Sequence, residues 1–388
     1  MTYDVIIFGA GAAGLMCACE AGKRGRSVLV LEHNVSVGEK IRISGGGRCN
    51  FTNISVGPEN FISQNEHFCT SALARYTPED FIRLVEHHGI MYNERKLGQL
   101  FCDGSSAQIV SMLLEECRSA HVEIRTGIEA DTIKKKENFF VTTGGQILTS
   151  KFLVLASGGL SIPKIGATNF GHRIARQFGL SIVEPRPGLV PLCFSGTLGS
   201  LCSELSGISI EAEVRCGKMK FRENLLFTHR GMSGPAILQI SSCRKEGEEI
   251  HINLRPDIDW MDVLTINRTE KKLLSTVLEQ YLPGRFVELW IQNLGETKPM
   301  NRYSLPELQH IAGALANWTV IPIGTEGFGK AEVTVGGIDT NELSSKTMEA
   351  KKISGLYCIG EVVDVTGWLG GYNFQWAWSS GWVAGQFV

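Results

Sequence analysis

The 388-residue chain has no uninterrupted apolar run approaching the ~18 residues that a membrane-spanning helix requires, so no transmembrane segment is expected. The first apolar segment starts at residue 3, which leaves no room for a signal peptide. None of the 11 cysteines forms a C-x-x-C pair. That argues against a zinc site and a disulfide framework, and for reduced, mostly buried thiols in a cytoplasmic protein. Cys17 and Cys19, two apart on a predicted helix, face different sides. Neither sign of charge is in excess: the net charge is −2, and Lys134-Lys135-Lys136 reads as a solvated strand end or turn. Neither nucleic acid nor an acidic membrane is therefore expected as a partner. There is no internal repeat and no low-complexity stretch. Nothing in the composition sets an oligomeric state.

What the chain does have is glycine in particular places. Tyr3 to Phe8 is an apolar β-like run that leads into Gly9-Ala10-Gly11-Ala12-Ala13-Gly14. A helix-compatible stretch follows to Gly22, then a second apolar run, Val28 to Leu31, ending in Glu32. Strand, glycine turn, helix, strand and acid are the full context of a dinucleotide-binding βαβ unit. Gly9 permits the tight turn, Gly11 lets a pyrophosphate approach bare backbone, and Gly14 lets helix and strand pack closely. The helix N-terminus offers free N–H groups to phosphate. Glu32, 18 residues past Gly14, is placed to accept hydrogen bonds from adenosine-ribose hydroxyls. A 2′-phosphate would meet like charge there, so this site is not expected to take NADP.

Two further segments repeat the design of an apolar strand ending in small residues. They are Phe152 to Ala156 running into Ser157-Gly158-Gly159, and Leu356 to Ile359 running into Gly360-Glu361. One such segment would suit NAD; three, from the start, middle and end of the chain, suit an extended FAD. Glu361 is placed to accept from ribityl hydroxyls or to organise water at the pyrophosphate. Gly370-Gly371-Tyr372-Asn373-Phe374 opens a final, sparsely polar helix, running through the aromatic stretch Trp368 to Phe387. Its positive dipole end is expected at the flavin C2 carbonyl, where negative charge accumulates on reduction. A second glycine loop, Ser44-Gly45-Gly46-Gly47 with Cys49 and Asn50, lets backbone lie flush against a planar ring. Lys40, Arg42 and Arg48 supply cations beside it. No second cysteine lies four or five residues from Cys49, so the redox disulfide of the disulfide reductases is absent.

The coarse organisation follows from pattern. Residues 66–88 and 105–119 read as helical, and 122–141 as short strands. After Pro185-Arg186-Pro187-Gly188 the composition changes. Residues 208–255 alternate in places, as antiparallel strands do, and 269–294 and 304–316 read as amphipathic helices. The chain is expected to leave a nucleotide domain (residues 1–190) for a strand-and-helix insert (191–330) and to re-enter it at 331–388.

These motifs resemble the BaiN/RdsA-like (YhiN-type) FAD-dependent oxidoreductases. The matching stretches are Gly9 to Gly14 with Glu32, Ser44 to Asn53, Ala156 to Pro163, Leu226 to Pro235, Ala331 to Gly337, and Gly360-Glu361 through Gly367 to Gln375. The resemblance implies a glutathione-reductase-type α/β fold, with a Rossmann-like FAD-binding domain interrupted by an inserted domain. Some members are reductases of conjugated C=C bonds in steroid-like acids, others are aminoacetone-type amine oxidases, and many are known only as flavoproteins. His229, on the Phe227-Thr228-His229-Arg230-Gly231 loop, and Tyr372 are the candidates for proton exchange with substrate. No second G-x-G-x-x-G follows a strand after residue 160, so NAD(P)H is expected only as a transient electron donor docking over the flavin. The expected reaction is hydride transfer through FAD from a small organic donor or nicotinamide to an unsaturated acceptor. The alternatives are amine oxidation with oxygen and a non-catalytic flavin-binding module. RNA modification by a flavoprotein is disfavoured by the near-neutral charge.

Overall fold

The computed structural model describes residues 1–292 and 297–388. It divides into two compact units: Met1–Arg186 with Val333–Val388, and Pro187–Glu332.

In the first unit, Thr2–Phe8 is the central strand. It pairs in parallel with Val28–Leu31 on one side and Gln146–Leu155 on the other. Glu123–Arg125 extends the sheet beyond Val28–Leu31. The long strand Gln146–Leu155 divides its outer edge. Its first half pairs antiparallel with Phe139–Thr143, and its second half pairs in parallel with Leu356–Cys358. The apolar residues Val5 to Phe8, Val28 to Leu31 and Leu153 to Leu155 are all buried, as strands covered on both faces must be. Phe8 stands opposite Leu31 and Leu155, and Leu155 opposite Cys358. The strands therefore end in line, and the three glycine-bearing segments leave the sheet along one edge.

The first helix, Ala12–Lys23, buries Ala13, Gly14, Cys17, Ala18 and Ala21, residues small enough for close packing. The last helix, Tyr372–Gly385, packs on it. An added Cβ at Gly381 would lie 2.5 Å from the Ala13 carbonyl oxygen. Residues 66–88 form two helices, Thr70–Arg75 and Pro78–His87, because Thr77 and Asp80 cap a new start ahead of Pro78. A separate antiparallel sheet joins Asn50–Asn53, Gln99–Cys102 and Tyr92–Arg95.

The second unit carries a seven-stranded sheet. Its order is Trp318–Val320, Ile250–Leu254, Ser209–Cys216, Met219–Thr228, Gly231–Ser233, Leu192–Cys193, Gly324–Thr325. Burial alternates along Ser209–Cys216, as the sequence suggests. The single helix expected over 269–294 is instead two, Leu274–Leu278 and Gly284–Gln292, broken around Pro283, and its last two residues lie outside the described ones. All the cysteines are free, and all but the half-buried Cys243 are buried. Among the described residues no helix is long and apolar enough to cross a membrane.

Candidate functional site

The βαβ turn contains glycines of two kinds. Gly9 has φ +107°, and an added Cβ would lie 2.4 Å from the Ala156 carbonyl oxygen. At Gly14 a Cβ would lie 1.9 Å from the Gly9 carbonyl oxygen. Both are required by packing. At Gly11 an added Cβ meets nothing within 4 Å, so its bare backbone faces open space. The first helical bond runs from Leu15 N–H to Gly11, which leaves the N–H groups of Ala12, Ala13 and Gly14 without helical acceptors. An open backbone concavity at the start of a 12-residue helix fits a pyrophosphate.

Glu32 is buried at the end of the second strand. Its Oε2 accepts the Ala10 N–H at 2.8 Å and its Oε1 the Asn34 N–H at 2.9 Å. His33 Nδ1 lies 3.0 Å from Oε1. Burial pushes the Glu32 carboxyl up, but His33 and the two backbone donors outweigh it, and the net shift is down. The group is therefore an ionised acceptor with lone pairs still available for ribose hydroxyls. Sequence reasoning missed His33, whose role is visible only once the chain turns back through the Gly166 carbonyl, 2.7 Å from Nε2.

Lys40 reaches the third glycine segment. Its Nζ donates to Glu361 Oε2 and Ser161 Oγ, both at 2.6 Å. Glu361 Oε1 accepts the Thr334 N–H at 2.9 Å. Burial pushes the Glu361 carboxyl up, and Lys40, Thr334 and Ser161 together bring it below its usual value. Thr334 Oγ1 accepts the Leu160 N–H and closes against Gly159. Gly158 keeps an open side, with only Glu361 Oε2 at 4.0 Å. Ser157 Oγ is buried beside Gly171 with no hydrogen-bond partner. Gly360 lies against Ala13, its carbonyl accepting from Trp376 Nε1. Ser161 and Thr334 lie in stretches the motifs cover but carry no role there, because their bonds to Glu361 join residues 200 and 27 apart in sequence.

In the second glycine loop, Gly46 and Gly47 are open, whereas Gly45 is pressed against the Phe101 ring. The Ser44 hydroxyl donates to the Ile41 carbonyl, and the Asn50 amide lies against Gln99. Cys49 is fully buried, and burial pushes its thiol up to about 12, so no thiolate forms at neutral pH.

Gly371, at φ +96°, begins the last helix, and an added Cβ would lie 2.4 Å from the Thr52 carbonyl oxygen. The first helical bond comes from Gln375, so the N–H groups of Tyr372, Asn373 and Phe374 have no helical acceptor. The Asn373 amide is taken up by Gly367 and Trp368, leaving its backbone N–H for a ligand. Phe374 stacks on Trp378. Tyr372 is buried between the Phe61 and Trp368 rings, and burial keeps its hydroxyl protonated. Gly370 abuts Gln99, and its carbonyl accepts from Asn53 Nδ2 at 2.9 Å.

In the other unit, His229 is exposed on the turn between Met219–Thr228 and Gly231–Ser233. That turn is held by backbone, the Arg230 carbonyl accepting from the Phe194 N–H. Among the described residues no His/Cys/Asp/Glu group is suited to a metal ion. Open backbone at Gly11, Gly46, Gly47 and Gly158, two free helix starts and one ionised acid fit FAD.

The family model described as the HI0933-like protein Rossmann domain matches residues 3–387. The ribosomal RNA dihydrouridine synthase of Escherichia coli (strain K12) is 50% identical over 390 residues, covering 99% of this chain and 97% of that protein. The 3-dehydro-bile acid delta(4,6)-reductase of Clostridium scindens is 27% identical over 402 residues, covering 98% and 97%. In fold, the chain is similar to the 3-ketosteroid delta1-dehydrogenase of Sterolibacterium denitrificans, with a TM-score of 0.52, 14% identity and 99% of each chain covered. The first of these conflicts with the expectation that nucleic acid is no partner, and that expectation is withdrawn. Net charge averages the whole surface, whereas phosphate contacts need only a local group of cations.

Proposed function

The chain belongs to the HI0933-like Rossmann family and is a flavin-dependent oxidoreductase, and from that premise we propose that it reduces the C5=C6 bond of a uridine in ribosomal RNA. The observation that carries this reading is the 50% identity, over nearly the whole of both chains, to a protein of that name. When bound, FAD supplies a two-electron carrier between a nicotinamide and a C=C bond conjugated with a carbonyl. The balance is one hydride to C6, one proton to C5, and oxidation of one NAD(P)H to NAD(P)⁺. The residues of this chain bind and orient. Gly11 and the Ala12–Gly14 amides hold the pyrophosphate, and Glu32 the adenosine ribose. Lys40, on the helix Glu39–Ile43 ahead of the second glycine loop, ties that helix to Glu361 in the third segment. The amides of Tyr372 to Phe374 would offer the positive end of their helix to a bound flavin ring. Tyr372, protonated at neutral pH, and His229 are the candidate sources of the C5 proton.

A second reading, reduction of a conjugated C=C bond in a steroid-like acid, is favoured by the full-length relationship at 27% identity. Both readings share one reaction class and differ in substrate.

The deciding experiment incubates the purified yellow protein and NADH or NADPH with ribosomal RNA from cells lacking the gene. Nucleosides are then analysed by mass spectrometry. Dihydrouridine at a defined position supports the first reading. No dihydrouridine, with turnover of a 3-oxo-4,6-diene bile acid, supports the second. Reduction of the flavin only by small amines would overturn both in favour of an oxidase.

A further inference from the structure

The hairpin that carries Arg95-Lys96-Leu97-Gly98 has a feature that folding alone does not require. Leu97 sits at φ +60°, in the left-handed region that bulky residues avoid, and its apolar side chain is 61% exposed. Strain and exposure together are unfavourable, so a surrounding structure must enforce them. It does. The side-chain amide of Asn53, itself 1% exposed, donates from Nδ2 to the Leu97 carbonyl and to the Gly370 carbonyl, both at 2.9 Å. Asn53 Oδ1 is fixed in turn by the Ser55 N–H. At Gly98 a Cβ would strike Ile54 and Asn53. Leu97 is thus locked outward, one buried amide away from the Gly370-Gly371 turn of the proposed flavin site.

The hairpin and the second glycine loop, joined where the Cys102 N–H donates to the Arg48 carbonyl, carry cations and apolar groups. The Arg95 guanidinium lies 4.2 Å from the centroid of the Phe101 ring, and that ring abuts Gly45 in the second glycine loop. Arg48, Arg95 and Lys96 are exposed. Among the described residues Arg48 and Arg95 have no ion-pair partner. Glu94 is the carboxylate on the same strand, and it alternates with Arg95, Glu94 standing opposite Leu100 and Arg95 opposite Gln99. Ile54, 45% exposed, flanks Gly98.

We propose that Leu97 is a wedge that enters a folded RNA where the target uridine leaves its stack, with Arg48 and Arg95 contacting the flanking phosphates. The inference rests on the RNA reading above. A uracil stacked in folded RNA cannot present C5 and C6 to a buried ring, so the base must swing out. An apolar side chain filling the vacated step compensates for lost stacking, and a rigid one does so without being ordered on binding. Exposed cations beside it supply the phosphate contacts that a net charge of −2 conceals.

The test uses the holoprotein, ribosomal RNA lacking the modification, and a short unstructured oligonucleotide carrying the same uridine. With wild type, Leu97→Ala, Leu97→Met and Arg95→Ala, the rate of dihydrouridine formation is measured on both RNAs. Fluorescence of a 2-aminopurine beside the uridine in a folded fragment is read without reductant. Leu97→Ala is expected to lose roughly tenfold or more in kcat/KM on folded RNA and the fluorescence rise on binding, while matching wild type on the oligonucleotide. Leu97→Met is expected to restore both, and Arg95→Ala to weaken binding with a shallower salt dependence. Equal rates of Leu97→Ala and wild type on folded RNA, an equal loss on both RNAs, or a change in oligomeric state on Leu97→Ala would each overturn the wedge with the RNA reading intact. Absence of dihydrouridine with wild type on either RNA overturns the RNA reading itself, and the wedge with it.

Discussion

Gly9 and Gly11 lie two residues apart in one turn and fail differently when altered. Gly9→Ala must place a methyl group 2.4 Å from a backbone oxygen at a φ of +107°, so it is expected to lower apoprotein stability by more than ~1 kcal/mol. Gly11→Ala meets nothing within 4 Å, so its apoprotein should unfold like wild type in urea yet bind FAD at least tenfold more weakly. Urea titration and FAD binding on the same two variants check both halves. The Lys40–Glu361 pair gives a pH-dependent case. Glu361 is held below its usual value of 4.5 in the folded state, so its contribution is present above that pH and is lost as pH falls through the folded value. Lys40→Met removes the favourable partner and leaves the burial cost, so the variant should be about 2 kcal/mol less stable at neutral pH. That deficit should shrink as pH falls through the folded value of Glu361, where the carboxyl loses the charge that Lys40 pairs. A constant gap across that range would assign the loss to packing. At this scale the tight packing of Gly9 and Gly14 and the place of Glu32 at its strand end were legible, since a strand–turn–helix context defines them locally. The Lys40 link to Glu361, and Asn53 joining Leu97 to Gly370, were not, because each joins residues far apart in sequence.

Among the elements, the first and last helices cross closely because both are built of small residues at the crossing. Gly381→Ala would bring its methyl within 2.5 Å of the Ala13 carbonyl oxygen. It should destabilise by ~1–3 kcal/mol as an overpacked contact. Because both helices present their N-termini to the proposed flavin site, FAD affinity should fall as well. Thermal unfolding of the apoprotein and flavin titration would show whether the two effects move together. The parallel strands were legible as continuous apolar runs ending in small residues. The helix breaks at Pro78 and Pro283 were passed over for different reasons. Apolar periodicity continues across each proline, and at Pro78 the Thr77–Asp80 cap was a local signal that the pattern obscured. The strained hairpin at Leu97 had no sequence signal, since a leucine announces no left-handed backbone.

For the molecule as a whole, strand Ile182–Gly188 pairs with strand Val333–Ile338. The chain on either side of residues 187–332 is thereby brought together. Replacing those residues with a short Gly-Ser linker should leave a folded yellow protein that retains FAD and forms no dihydrouridine. A colourless or insoluble product would show that the larger unit depends on the smaller to fold. The fold class was legible at this scale. The proposed RNA substrate was not, because composition records total charge and not where Arg48 and Arg95 stand. The first unit is also discontinuous in time. Its central strand and first helix precede residues 187–332 in the chain, and the strand Leu356–Cys358 and the helix Tyr372–Gly385 that complete its proposed cofactor edge follow them. During synthesis the sheet waits with that flank bare, so the proposed flavin site is completed only after residues 187–332 have been made. A chain stopped before residue 356 should therefore emerge colourless, and absorbance of the purified truncation checks this.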